Sequence, residues 1–244
     1  MFRYLLVGLG VIFSIASAQN SDSSIDVANE LYETRHLVPE NLEKSRDILQ
    51  GVLDSEPENV RALYELSKVY YQLGDEAGKK DEKLKLYNAG KEYSKKAKKL
   101  DDNSADAHFW YVVNLGRIGQ TKGVLHSLGS VPEIKKEIDK ILDIDSTHTG
   151  ALDVKAMLYY ELPGLLGGNL NKSMEALNKA IAFDSNYALL YVDMGKVYIK
   201  KKDYEKARWY LNKVLEIENP TYEADYILDD KPDAVELLKE IEEK

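Results

Sequence analysis

The stretch "ALLYVDMGKVYIKKKDYEKARWYLNKVLEIENPT", residues 188–221, decides the fold. In its 34 residues, Gly195 stands eighth, Tyr198 eleventh, Ala207 twentieth, Leu211 twenty-fourth and Val214 twenty-seventh. This spacing suits two antiparallel helices packed closely. Small residues at the eighth and twentieth places let the backbones approach, and the tyrosine fills the gap to the next pair.

The same spacing resembles the tetratricopeptide repeat, and it recurs along the chain. Repeats lie near residues 26–59, 60–104, 105–148, 149–187 and 188–221, and residues 231–244 read as a capping helix with Pro232 in its first turn. Strand signals are scarce, with few alternating runs and no Asn-Gly or Asp-Gly hairpin turns. The expected fold is all-α: a solenoid of five helix pairs and a C-terminal cap.

The repeats differ in the distance from the eighth to the twentieth place. It is twelve residues from Gly195 to Ala207, but 23 from Ser67 to Gly90, 22 from Val112 to Ile134 and 17 from Ala156 to Ser173. Each excess falls between the two helices of its repeat, so three consecutive enlarged turns are expected along one edge. The third carries Leu162, Pro163, Leu165, Leu166, Gly167 and Gly168. Pro163 stops the first helix, and the glycine pair permits backbone shapes that other residues resist. A flexible turn would be polar, so these leucines are expected to be buried against neighbouring turns or against a partner.

First-helix positions expected to face the concave groove are Arg61, Tyr64, Lys68 and Tyr71, then Phe109, Arg117, Met157 and Tyr160. Aromatic faces with a few cations suit a peptide or hydrophobic ligand, or a small organic acid held by Arg61, Lys68 or Arg117. The same stripe is equally what inter-repeat packing requires.

Composition narrows the partners. The 244-residue chain carries a net charge of −9, or −10 without the first eighteen residues, whose one charge is Arg3. That argues against nucleic acid, which needs a basic stripe. The acidic stretch from Glu223 to Lys244 reads as a solubilising surface. There is no cysteine, so disulfides and thiol chemistry are excluded. "MFRYLLVGLGVIFSIASAQ" has one positive residue, a short apolar run and a small-x-small close at Ala16–Ala18. It reads as a cleaved export signal over residues 1–18, giving a periplasmic or secreted protein, with an N-terminal membrane anchor as the alternative.

"ADAHFWYVVNLGRIG", "SVPEIKKEIDKIL" and "GALDVKAMLYYELPGLLGGNLNKS", between residues 105 and 173, add more particular wording. Together they resemble the T-component proteins associated with TRAP transporters, through the Trp-containing first helix, the Val-Pro opening of its partner and the Pro-then-Gly-Gly loop. That resemblance implies an exported accessory subunit that accompanies a solute-binding protein and can form trimers with a central pore. "ADAHFWY" and "ARWYLNKVLEI" also resemble the regulator-of-microtubule-dynamics family, which the ordinary last repeat fits better.

No catalytic constellation is legible. His36, His108, His126 and His148 share no metal-ligand spacing. "DIDSTHTGALDV", residues 143–154, begins like a calcium loop but has His148 at its sixth place and Val154 at its twelfth. Gly164, Gly167 and Gly168 follow no strand and precede no Gly-Lys-Ser/Thr. The expected function is therefore binding without cofactor or metal, by an exported transporter accessory or, alternatively, a general assembly scaffold.

Overall fold

The computed structural model describes residues 21–244, and the export segment expected over residues 1–18 lies outside them. Each repeat is one helix pair. Repeat 1 holds α1 (21–33) and α2 (Asn41–Ser55), and repeat 2 holds α3 (Val60–Glu76) and α4 (Lys80–Leu100). Repeat 3 holds α5 (Ala105–Lys122) and α6 (Val124–Ile144), and repeat 4 holds α7 (Thr149–Glu161) and α8 (Leu170–Phe183). Repeat 5 holds α9 (Ala188–Lys200) and α10 (Tyr204–Glu216). One further helical segment, α11 (223–240), closes the chain, and the whole is an all-α solenoid.

Local chemistry starts the helices where they start. The side chains of Asn59, Ser104, Asn169 and Asp203 each accept a bond from a backbone N–H in the first turn of α3, α5, α8 and α10. His148 does the same for α7, its Nδ1 accepting from the Ala151 N–H at 3.1 Å. Burial holds the His148 imidazole below its ordinary range, which keeps Nδ1 free to accept.

Small residues let the pairs close. A Cβ on Gly195 would stand 2.6 Å from a Leu211 methyl, so α9 and α10 meet there at backbone distance. Buried apolar side chains form a string of clusters along the axis instead of one central core. Leu63 and Leu66 join repeats 1 and 2, and Leu177, Leu190 and Met194 join repeats 4 and 5. Asn114 stitches repeat 3 to repeat 2, its Nδ2 donating to Ser67 Oγ at 3.0 Å. Stability is therefore a sum over neighbouring pairs.

The enlarged turns take a different form from the one expected. In repeats 2 and 3 the extra residues lengthen the helices, to 17 and 21 residues in α3 and α4 and 18 and 21 in α5 and α6. Their connections shrink to three residues and to Gly123 alone, whose φ of 110° only glycine adopts readily. Pro132 accordingly stands inside α6, eight residues past its start, instead of opening it. Of these three enlarged turns, only that of repeat 4 is irregular, over residues 162–169.

Candidate functional site

The first helices α1, α3, α5, α7 and α9 line the concave face. The cations expected to wait there for a ligand are already paired between repeats. Arg61 reaches back to Asp26 at 2.6 Å, and Lys68 to Glu33 at 3.0 Å. Arg117 donates to Asp75 at 2.8 Å and to the Tyr71 hydroxyl at 3.0 Å. An organic acid held by one of these three would have to displace a carboxylate of the protein itself. The aromatic members pack in the same way. Tyr64 lies against the repeat 1–2 cluster, and Phe109 against His148, ring centroids 4.8 Å apart. Burial first, and for Tyr71 the Asp75 charge next on the raising side, lift the Tyr64 and Tyr71 phenols to about 12. The Tyr160 carbonyl accepts from Lys200, whose ammonium lies over the Tyr160 ring. Met157, on the same helix as Tyr160, is half-buried.

What occupies the groove is the chain's own C-terminal segment. After α10 the chain turns inward. Thr221 donates from its N–H to the Asn186 carbonyl at 3.1 Å, and Tyr222 sets its ring edge-on to Tyr187, centroids 4.8 Å apart. Residues 223–230 then run past the first helices. Asp225 pairs with Arg35 of repeat 1, which also donates to the Tyr32 carbonyl and lies over the Tyr32 ring. Asp225 is within electrostatic reach of Lys68 and Glu33, Asp229 of Asp75, and Tyr222 of Asp106. The stretch from Glu223 onward is thus more than a solubilising surface. Asp225 is largely covered and Asp230 is 4% exposed, because the solenoid curves back around them.

At its other end the segment meets more carboxylates. Asp153 of α7 and Asp193 of α9 are buried beside Asp230, with Lys196 donating to Asp193 at 2.9 Å and lying 3.9 Å from Asp233. Burial first, then the neighbouring aspartates, push the Asp230 carboxyl up to about 7. Burial first, then the Asp193 charge, raise Asp153. Burial works against the Lys196 ammonium, yet Asp193 holds it above its usual value. The proline at 232 explains the segment's shape. It has no N–H to give to the preceding turn, and the helix widens there into a π turn over Tyr226–Asp230.

The edge loop divides the expected leucines. Leu162 is buried, but Leu165 is fully exposed and Leu166 half-exposed, so two of the three are not covered by this chain. The loop is nonetheless ordered by its own bonds: Gly168 donates to the Pro163 carbonyl at 3.0 Å and Asn169 to the Tyr159 carbonyl at 2.8 Å. Gly167 has φ 98°, and a Cβ on Gly168 would lie 1.7 Å from the Leu162 carbonyl oxygen. Gly167 and Gly168 therefore meet two separate demands, left-handed backbone and close approach.

The sequence did not point to Arg35, Asp153, Asp193, Lys196, Asp225 or Asp230. A signal was present in "GALDVKAM" and "ALLYVDMG", where an aspartate interrupts a largely apolar first helix in successive repeats. Among the described residues, no three His, Cys, Asp or Glu side chains are placed to hold a metal ion. His108 is a buried structural link, its Nδ1 2.5 Å from Glu137, which Lys98 also contacts at 2.6 Å. Burial alone would raise the Glu137 carboxyl, but the His108 and Lys98 bonds hold it at about 2.

The sequence profile described as regulator of microtubule dynamics protein 1-3 matches residues 25–166, more than half of the chain. The chain belongs to the regulator of microtubule dynamics family. A tetratricopeptide-repeat profile matches residues 188–221, the stretch that first set the fold. Within the family, regulator of microtubule dynamics protein 1 of Bos taurus is 22% identical over 251 residues, covering 96% of this chain and 76% of the relative. Regulator of microtubule dynamics protein 3 of Rattus norvegicus is 25% identical over 184 residues, covering 66% of this chain but only 38% of the relative. Among solved structures, a thermophilic TPR protein of Thermus thermophilus aligns with a TM-score of 0.70 at 14% identity, covering 90% of this chain and 99% of that one. The PilF protein of Pseudomonas aeruginosa aligns at 0.57 and 15% identity, covering 93% of each chain. At these identities the structural likeness establishes the fold alone, a tetratricopeptide solenoid.

Proposed function

We propose that this protein binds a segment of a partner protein in the concave groove of its first helices and catalyses nothing. One observation carries the reading: the groove already accommodates a polypeptide segment, residues 222–230, against side chains from both ends of the solenoid. A surface that accepts one segment has the width and polarity to accept another.

The narrower role of a TRAP-transporter accessory, with a solute-binding protein as partner and a trimeric assembly, rests on the resemblance within residues 105–181. The family match over residues 25–166 covers much of the same block and favours the general scaffold. Export belongs to the proposal as well, on the pattern of residues 1–18. Intact-mass measurement of the protein from its native host is expected to show Gln19 first; a full-length chain held in membranes contradicts it.

The groove itself is tested by photo-crosslinking in cells. A crosslinking residue at Tyr64, in the groove, is expected to capture a partner, whereas one at Leu165, on the exposed edge, is not. Adducts from Leu165 alone would move the working surface to the edge loop.

A further inference from the structure

Arg35, Lys68 and Tyr32 form a carboxylate receptor. Arg35 and Lys68 lie 4.3 and 4.0 Å from the Tyr32 ring centroid, the Arg35 side chain is 1% exposed, and its buried Nε has no partner. A guanidinium so deeply buried requires an anion, and its fork suits a carboxylate. The anion comes from the far end of the chain. Asp225 belongs to a segment anchored on repeat 5, where Ala224, Tyr226, Ala234 and Ile241 are buried and Tyr226, Ala234 and Ile241 join the α9 and α10 side chains. The segment is thus anchored on repeat 5, and among the described residues the ion pair that links it to repeat 1 is Arg35–Asp225. That pair closes the groove like a clasp.

The clasp is closed against repulsion. The segment brings Asp225, Asp229, Asp230 and Asp233, with Lys231 between the last two, to a wall that already holds Asp153 and Asp193, and the cations facing them are Arg35, Lys68 and Lys196. Lys68 is shared with Glu33. Carboxylates in surplus in a half-dry groove weaken the closure without removing it. Opening needs no unfolding, since a solenoid flexes through small rotations between repeats and both ends keep their apolar packing.

We propose that the groove is a docking site for an acidic protein segment, gated by the Arg35–Asp225 clasp, with a carboxylate of the incoming segment replacing Asp225 on Arg35. This rests on the groove reading above and names its partner's chemistry. The resident carboxylate competes at the high local concentration of a tethered group, so the intact chain is largely self-blocked.

The test uses the full chain and a labelled peptide with the sequence of Tyr222–Asp230. Asp225→Ala frees the receptor and is expected to bind this peptide at least about tenfold more tightly than the unaltered chain does. The gain is expected to vanish when the peptide itself carries Asp225→Ala, and when Arg35→Ala is added to the chain. The protein has no cysteine, so spin labels at Glu30→Cys and Glu223→Cys, both exposed, report the gap directly, and its distance distribution is expected to lengthen and broaden in Asp225→Ala. Equal peptide binding by both chains, or an unchanged distance, overturns the proposal. Should Asp225→Ala lose its helicity, the exchanged pair Arg35→Asp with Asp225→Arg decides. A folded chain with the original label distance supports the clasp, and a chain no better folded than Asp225→Ala overturns it. Partner adducts at Tyr64 alongside a failed peptide test would leave the groove in place and remove only the acidic segment.

Discussion

Arg35 and Asp225 are paired across 190 residues of sequence, one in the first repeat and the other beyond the fifth. Among the described residues, the other ion pairs between repeats, such as Lys68–Glu33 and Arg117–Asp75, join adjacent ones. The pair turns an open curved rod into a closed one. It also makes the concave face, where a partner is expected, a face that the protein occupies itself.

The two halves of that pair are unequal. Arg35 is covered almost completely, whereas Asp225 keeps about a third of its side chain in solvent. Asp225→Ala leaves a buried unpaired guanidinium and is expected to cost about 2–3 kcal/mol in a urea melt, after discount for the exposed partner. Asp225→Asn, which keeps an acceptor near Arg35, is expected to cost less than half as much. Equal costs for the two substitutions would show that the charge is immaterial.

The buried carboxyl at position 230 gives the protein a pH dependence. Burial, then Asp225, Asp229, Asp193 and Asp233, raise its folded-state value to about 7, against an ordinary value of about 3.9 in a released chain. The groups facing it are Asp153 from α7, Asp193 from α9, and Asp225, Asp229 and Asp233 from its own segment, with Lys196 held on Asp193 and Arg35 on Asp225. The folded state therefore holds the proton more tightly. Its contribution is complete below about pH 4 and is lost as pH rises through 7. Stability is expected to fall by on the order of 2 kcal/mol between pH 5 and 8, and Asp230→Asn is expected to flatten the slope. An unchanged slope in Asp230→Asn would place the titration elsewhere.

Gly168 and Gly164 share the edge loop but not its constraints. A Cβ on Gly168 meets the Leu162 carbonyl oxygen at 1.7 Å, while one on Gly164 meets nothing within 4 Å. Gly168→Ala is expected to lower stability by about 2 kcal/mol or more through forced backbone movement, with Gly164→Ala within about 0.5 kcal/mol of the unaltered chain. Thermal melts of the two variants decide it, and equal melting temperatures would mean that the turn readily rearranges.

Leu162 and Leu165 separate packing from surface in the same loop. Leu162→Ser buries a hydroxyl and loses apolar contact, with an expected cost of about 2–3 kcal/mol. Leu165→Ser is expected to change stability by less than about 0.5 kcal/mol, since its side chain touches water. Sedimentation of Leu165→Ser adds a second readout: an altered oligomeric state would assign the exposed leucines to an interface between copies.

The sequence by itself determined the repeat unit. Gly195, Ala207, Leu211 and Val214 fall where two helices must touch, and contacts of that kind link residues close in sequence, so their spacing records them. It determined the number of pairs and the cap for the same reason. It left open whether added residues would lengthen helices or loops, because Gly129 and Pro132 read as breaks yet are carried inside α6, while α4 opens on helix formers. The tertiary structure alone decided the state of the groove. Superhelical curvature, a small rotation summed over five repeats, brings residues 222–230 back to Arg35. No periodicity records a contact made by that sum, so an acidic stretch that reads as solvated surface ends with Asp230 buried and Asp225 paired to the first repeat.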